Sequence, residues 1–88
     1  MMGEATGLEF PCAYPVKAMV RTGQGAHEAV MAVMERQAIF SREDDVSIKL
    51  SKNGAYESIT IEVTVHSRAH LESIYTDLRA LEVVVMTL

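Results

Sequence analysis

The run Leu50-Ser51-Lys52-Asn53-Gly54-Ala55-Tyr56-Glu57-Ser58-Ile59-Thr60-Ile61 restricts what this chain can fold into more than any other stretch. It reads as the end of one strand, a tight turn and a second, longer strand. Asn53-Gly54 is the strongest short hairpin signal, because a type I′ turn needs positive φ at both central positions and these two residue types tolerate it best. A two-residue turn there pairs Lys49 with Ser58, Ile48 with Ile59 and Val46 with Ile61, and it sets Asp45 opposite Glu62. A slip by one residue would turn one strand's apolar set toward water, so the alternation excludes it. A slip by two, with Gly54-Ala55 in a type II′ turn, pairs Ile48 with Ile61, separates the two acids and is the open alternative.

The elements on either side follow from periodicity. Tyr14 to Arg21 alternates Val16, Ala18 and Val20 with Lys17, Met19 and Arg21, the pattern of a half-buried strand. Pro11 and Pro15 cannot donate ladder bonds, so regular pairing is expected only after Pro15. Ala26 to Phe40 places Ala26, Val30, Val33, Met34 and Ala38 at helical spacing, with Thr22 as the candidate cap. The hairpin supplies strands over Val46 to Ser51 and Tyr56 to His66. Ser67 is placed to cap a second helix, in which Leu71, Ile74, Tyr75, Leu78 and Leu81 form one apolar stripe. Val83 to Leu88, β-branched and short, makes a last strand.

The order is β-α-β-β-α-β. Two halves with right-handed crossovers are satisfied most simply by an α+β ferredoxin-like sandwich, an antiparallel sheet in the order 4-1-3-2 with both helices on one face. A chain of 88 residues is one domain, able to hide roughly 60 to 65% of the surface that its unfolded form exposes. Residues 1–9 are expected as a flexible tail and 10–88 as that single domain.

Composition narrows the function classes. A net charge of −4, with eight basic residues scattered along the chain, gives no patch for phosphates, so nucleic acid is not an expected partner. The open-face positions of strands one and three, where an RNA-binding version of the fold stacks bases, hold Lys17, Met19, Ser58, Thr60 and Glu62; Tyr56 is the one aromatic near them. The lone Cys12 cannot form an intramolecular disulfide and supplies too few thiolates for an iron-sulfur cluster. No run has the length of a membrane span or a secretory leader, and the expectation is a cytoplasmic protein.

Chemistry-bearing residues are sparse. His66 and His70 are four apart, but with Ser67 as the cap His66 belongs to the strand and the shared face is expected to be lost. His27 and Glu28 are adjacent on a helix and point apart. No Ser-His-Asp set, metal site or cofactor site is expected, and the chain is not expected to be an enzyme. Ser51, Lys52, Ser58 and the Gly54 amide gather polar groups at one corner that suits a small anion. Strand four is an edge strand that is apolar on both sides, so a homodimer is expected at or near Val83, Val84, Val85 and Met86; Lys49 and Lys52 on strand two are expected to keep the other edge single.

The segment Leu8-Glu9-Phe10-Pro11-Cys12-Ala13-Tyr14-Pro15-Val16-Lys17-Ala18-Met19, the corner Ser51-Lys52-Asn53-Gly54-Ala55-Tyr56-Glu57-Ser58 and the short aliphatic C-terminal strand together resemble the YbeD-like family of small bacterial proteins. The resemblance runs over almost the whole chain from Leu8 and departs from the family where Val20 stands in place of a usual Gly. It implies an ACT-like fold, that of regulatory modules that bind small effectors between paired copies. It therefore implies a regulatory or binding module acting through a metabolite or a protein partner, with a link to lipoate metabolism as a further implication. The family carries no agreed catalytic residues; its recognisable positions here are Lys17, Gly54, Tyr56 and Ser58. The candidate ligand-binding set is Lys17, Ser51, Lys52, Gly54, Tyr56 and Ser58. The competing reading is a small enzyme acting on an acyl or phosphate group through Lys17 and the Ser51/Ser58 corner.

Overall fold

The structure, a computed structural model, describes residues 8–23 and 25–88. The expected tail therefore lies mostly outside the described residues; Leu8 is exposed, and Phe10 packs against the core. The elements are β1 (Cys12–Arg21), α1 (Ala26–Gln37), β2 (Val46–Leu50), β3 (Tyr56–Val65), α2 (Arg68–Arg79) and β4 (Val84–Thr87). The sheet is antiparallel in the order β2-β3-β1-β4, which is the expected ferredoxin-like sandwich.

The long β1–β3 pair carries the core. Its register sets Val16 opposite Ile61 and Ala18 opposite Ile59, with Cys12 opposite Val65 at one end. Side-chain alternation then sends Val16, Ala18 and Val20, and Ile59, Ile61, Val63 and Val65, to the face that the helices cover. From above, α1 contributes Ala26, Val30, Met31, Val33 and Met34, and α2 contributes Ile74 and Leu78. Met31 lay outside the expected stripe. Val20 is fully buried and packs in this core. Each such aliphatic side chain contributes about 1.5–3 kcal/mol on leaving water.

Five local expectations are corrected, the last of them at His66 and His70. Pairing of β1 begins at Cys12, with Pro15 opposite Glu62, and not after Pro15. The reason is parity: Lys17 O accepts from Leu88 N and Arg21 N donates to Val83 O, so odd-numbered residues of β1 turn their main-chain groups toward β4. The missing N–H of Pro15 falls on that side, beyond the end of β4, where no ladder bond is lost. Thr22 does not cap α1; its amide donates to Ala55 O, and Gly25 at φ +86° occupies the cap position without a side-chain bond. Helix α1 ends at Gln37 because Ala38 is already extended at φ −155°. The Gln37 carbonyl is taken instead by His70 Nε2 at 2.6 Å, and its amide Nε2 donates to Asp77 Oδ2 at 2.7 Å and Ser73 Oγ at 2.9 Å. One residue thus pins the end of α1 to α2.

The fourth correction is the hairpin turn. The register is the one expected, Ile48 opposite Ile59 and Val46 opposite Ile61, and the slip by two is excluded. The turn, however, is not type I′ at Asn53-Gly54. Among the described residues no residue other than glycine has positive φ, so Asn53 is not left-handed, while Gly54 is at +77°. Gly54 N donates to Ser51 O at 3.0 Å, and the Asn53 side chain accepts from Ala55 N at 3.0 Å and from Ser51 Oγ at 3.2 Å. Ser51 Oγ in turn accepts from Tyr56 N at 3.1 Å. These side-chain bonds build a longer loop that closes on the same register, a competition with regular turns typical of Ser and Asn.

The Ser67 cap forms as expected, its hydroxyl accepting from His70 N at 3.0 Å. His66 and His70 nevertheless share a face, contrary to expectation. Their rings stack at 5.5 Å, because His66 lies just past β3 and its amide donates to His70 Nδ1 at 3.0 Å. With Nδ1 accepting and Nε2 donating to Gln37 O, both ring nitrogens of His70 are occupied in the neutral form.

Candidate functional site

Two concave surfaces flank β2, one on each side of the sheet. On the open face, a cavity of about 140 Å³ at the hairpin end is lined by Met19, Lys49, Leu50, Ser51, Tyr56, Glu57 and Ser58. β-Strand parity assembles it: Met19 of β1 lies opposite Ser58, and Ser58 lies opposite Lys49 of β2. Of the six residues expected at a ligand site, Ser51, Tyr56 and Ser58 come together here. Lys17, opposite Thr60 on the same sheet face, and Lys52 and Gly54, in the loop, do not line it.

The corner differs from a ready anion cradle. The Gly54 amide is spent on Ser51 O, and the Ser51 hydroxyl donates to Asn53 and accepts from Tyr56 N. The groups left to meet a ligand are the Lys49 ammonium, the Ser58 hydroxyl, the Tyr56 ring and the Met19 thioether. Sequence reasoning missed Met19 and Lys49 as site residues, although the expected register already set Lys49 against Ser58.

On the helix side, a groove of about 190 Å³ runs between α1 and β2, lined by His27, Glu28, Met31, Arg42, Val46 and Ile48. Arg42 is fixed by two carboxylates, Glu35 at 2.7 and 3.1 Å and Glu28 at 3.1 and 3.4 Å. That fork raises the guanidinium's already high pKa, and the Arg42 hydrogen bond lowers the Glu35 carboxyl. His27 donates from Nε2 to Glu57 Oε1 at 2.7 Å. The Glu57 side chain is only 14% exposed and that of His27 is 43% exposed. His27 points away from Glu28, as expected, and pairs instead across the fold with Glu57. A signal was present, since Glu57 shares the parity of Ile59 and Ile61 and a carboxylate on a covered face needs a partner.

Cys12 is a free, half-buried thiol at the start of β1. Among the described residues no group of three His, Cys, Asp or Glu side chains is placed to hold a metal, and no helix is long and apolar enough to cross a membrane.

The strand order, the two helices and the corner at the hairpin define an α+β ferredoxin-like module of the kind that the N-terminal segment and the hairpin corner resemble. The chain belongs to the family described as "Protein of unknown function (DUF493)", whose model matches residues 5–88. Its relatives bear out the YbeD-like resemblance. A UPF0250 protein of Shewanella sp. (strain ANA-3) is 39% identical over 75 residues, covering 85% of this chain and 83% of that protein. One of Shewanella baltica (strain OS155) is 40% identical over the same length and coverage. The solution structure of protein HP0495 from H. pylori superposes with a TM-score of 0.77 at 21% identity, over 97% of this chain and 89% of that one. At that identity the likeness shows the fold alone.

Proposed function

We propose that this protein is a non-enzymatic binding module of ACT-like type, and that its open-face cavity takes a small metabolite with an apolar body and one anionic group. The observation that carries the reading is the cavity of about 140 Å³ in which Ser51, Tyr56 and Ser58 stand beside Met19 and Lys49. Met19 and Tyr56 offer apolar contact, Lys49 a positive charge and Ser58 a hydroxyl, a mostly apolar surface with few polar groups, as small-molecule sites are built. The volume is below that of drug-sized pockets, which run from about 300 Å³ upward, and it suits a small carboxylate or phosphate ester.

The test is a thermal-shift screen of short and medium-chain carboxylates, amino acids and phosphate esters. A ligand at a hundred times its Kd adds about 2.7 kcal/mol to stability, a rise on the order of 10 °C for a domain of this size. Lys49→Ala or Tyr56→Ala removes that shift, whereas Lys17→Ala, outside the cavity, leaves it. If no metabolite raises the midpoint, a protein partner seated on the same corner becomes the reading, tested by whether Lys49→Ala abolishes its capture. A shift that survives both cavity substitutions would refute this placement of the site.

A further inference from the structure

The sheet has two edges, and they differ in kind. β4 has four residues, and its register against β1 shifts between Met19 and Val20. It is also strapped from α2, by Tyr75 OH donating to Leu88 O at 3.0 Å and Arg79 reaching Thr87 Oγ1 at 3.5 Å. Short, bulged edges are poor templates for a further strand. β2 is a regular run in one unbroken register against β3, from Val46 opposite Ile61 to Leu50 opposite Glu57.

Parity fixes what the β2 edge offers. Asp45 O accepts from Glu62 N and Ser51 N donates to Tyr56 O, both at the ends of β2 and both odd-numbered. Odd residues therefore turn their main-chain groups into the sheet, and the alternation of an antiparallel ladder turns those of Val46, Ile48 and Leu50 outward. The same three residues put their side chains on the helix side, where Ile48 is 45% and Leu50 57% exposed. Open backbone groups and uncovered aliphatic side chains thus coincide on one edge.

We propose that the β2 edge receives a second copy of this chain, antiparallel about a two-fold axis through Ile48, joining two four-stranded sheets into one with all helices on the same side. In this register Val46 meets Leu50 of the second copy and Ile48 meets its own symmetry mate, each pair exchanging both N–H···O bonds. Charge selects the register. The acidic run Glu43-Asp44-Asp45 precedes β2, and Lys49 and Lys52 follow its middle. Antiparallel pairing about Ile48 sets Lys49 opposite Ser47 of the other copy and brings the turn that holds Lys52 to the end of β2 where the other copy's acidic Glu43-Asp44-Asp45 turn lies. A shift that pairs Ile48 with Leu50 would set Lys49 against Lys49, which is unfavourable. The opposite shift carries Leu50 past the start of the other copy's β2 into its acidic turn. The two lysines expected to keep this edge single therefore never meet in the favoured register. The interface is isologous and closes at two copies. It also gives the groove over Val46 and Ile48 an outer wall, Leu50 of the second copy.

Sedimentation equilibrium on the full chain, with amide hydrogen exchange, tests this. The wild type is expected at twice the 9.7 kDa chain mass. Ile48→Lys, which puts two ammonium groups at the axis, is expected at the single-chain mass and still folded, because Ile48 is half-exposed in one copy, with an unfolding midpoint that no longer depends on concentration. Val85→Lys on β4 leaves the dimer intact. Lys52→Asp weakens association, and Lys52→Asp with Asp44→Lys restores it. Should Ile48→Lys not fold, the wild type still decides: the amides of Val46, Ile48 and Leu50 gain protection with rising concentration. A wild-type chain that stays at single mass at high concentration, a dimer that survives Ile48→Lys but is lost in Val85→Lys, or β2 amides whose exchange ignores concentration would each overturn the proposal.

Discussion

Replacing Gly54 by Ala isolates the backbone of the hairpin turn. Gly54 sits at φ +77°, and a Cβ built there meets nothing within 4 Å, so the cost is conformational and not steric. A left-handed non-glycine residue costs about 1–2 kcal/mol. The substitution also stiffens the unfolded chain, which returns about 0.4–1 kcal/mol. The net loss is therefore about 1 kcal/mol, or a midpoint about 4–8 °C lower. Gly54→Asn, which tolerates the left-handed region better, should lose roughly half as much. Asn53→Gly separates the observed loop from a type I′ turn. At two left-handed positions Gly would replace Asn at little cost. Here the side chain of Asn53 accepts from Ala55 N and Ser51 Oγ, and losing both bonds costs about 1 kcal/mol or more. Urea unfolding with an unchanged slope reads all three variants. An Asn53→Gly protein as stable as the wild type, or a neutral Gly54→Ala, would refute this account of the turn.

Other substitutions test the frame around it. Ser67→Ala removes the acceptor for His70 N at the start of α2 and should cost about 1 kcal/mol in urea unfolding, with Ser67→Asp retaining most of it. Ile74→Ala empties a fully buried position between α2 and the sheet and should cost about 2–5 kcal/mol by the same measurement. The Tyr75 phenol is pushed up to about 12, first by burial and next by Tyr14 beside it. The neutral phenol is the form that the fold favours, so its contribution to stability is complete below pH 10 and is lost as pH rises toward 12. An absorbance titration should show a tyrosinate step near pH 12 that Tyr75→Phe abolishes.

Much of the fold was legible because two independent signals agreed wherever the sequence was decisive. The alternation of Ile59, Ile61, Val63 and Val65 and the matching Val46 and Ile48 excluded the slip by one and left two registers that put the aliphatic residues of the pair on one face, and the structure takes the one that sets Ile48 opposite Ile59. That register survived even though the turn was misassigned, since a longer loop closes on it equally well. What could not be read was tertiary. Whether Pro15 costs a ladder bond depends on where β4 stops, a property of residues about 70 positions away. The end of α1 is set by the His70 ring 33 residues on. At the site, parity alone sorted Ser58 and Met19 onto the open face. It could not show that Ser51 and Gly54 spend their donors within the loop, because side-chain bonds of that kind compete with regular turns case by case.

The helical layer is not centred over the sheet, and this asymmetry decides which surfaces are left for partners. α2 is bound to the β4 side through Tyr75 and Arg79, and α1 is bound to α2 through Gln37, Ser73, Asp77 and His70. Both helices are thereby drawn toward β4, and their buried side chains meet those of β1 and β3 in one core. β2 has the same inward parity as β3 but little above it, which is why Ile48 and Leu50 stay exposed while Ile59 and Ile61 do not. The Arg42 fork and the His27–Glu57 pair stand at the margin of α1, where a polar rim meets the bare strand. Cutting the straps tests the logic: Gln37→Ala frees the end of α1 from Ser73 and Asp77 while leaving its backbone bond to His70. If the straps hold the layer off β2, the exposure of Ile48, read by a reporter cysteine introduced there, falls in Gln37→Ala. Unchanged labelling of that cysteine would mean that packing on β1 and β3, and not the polar straps, sets where the helices lie.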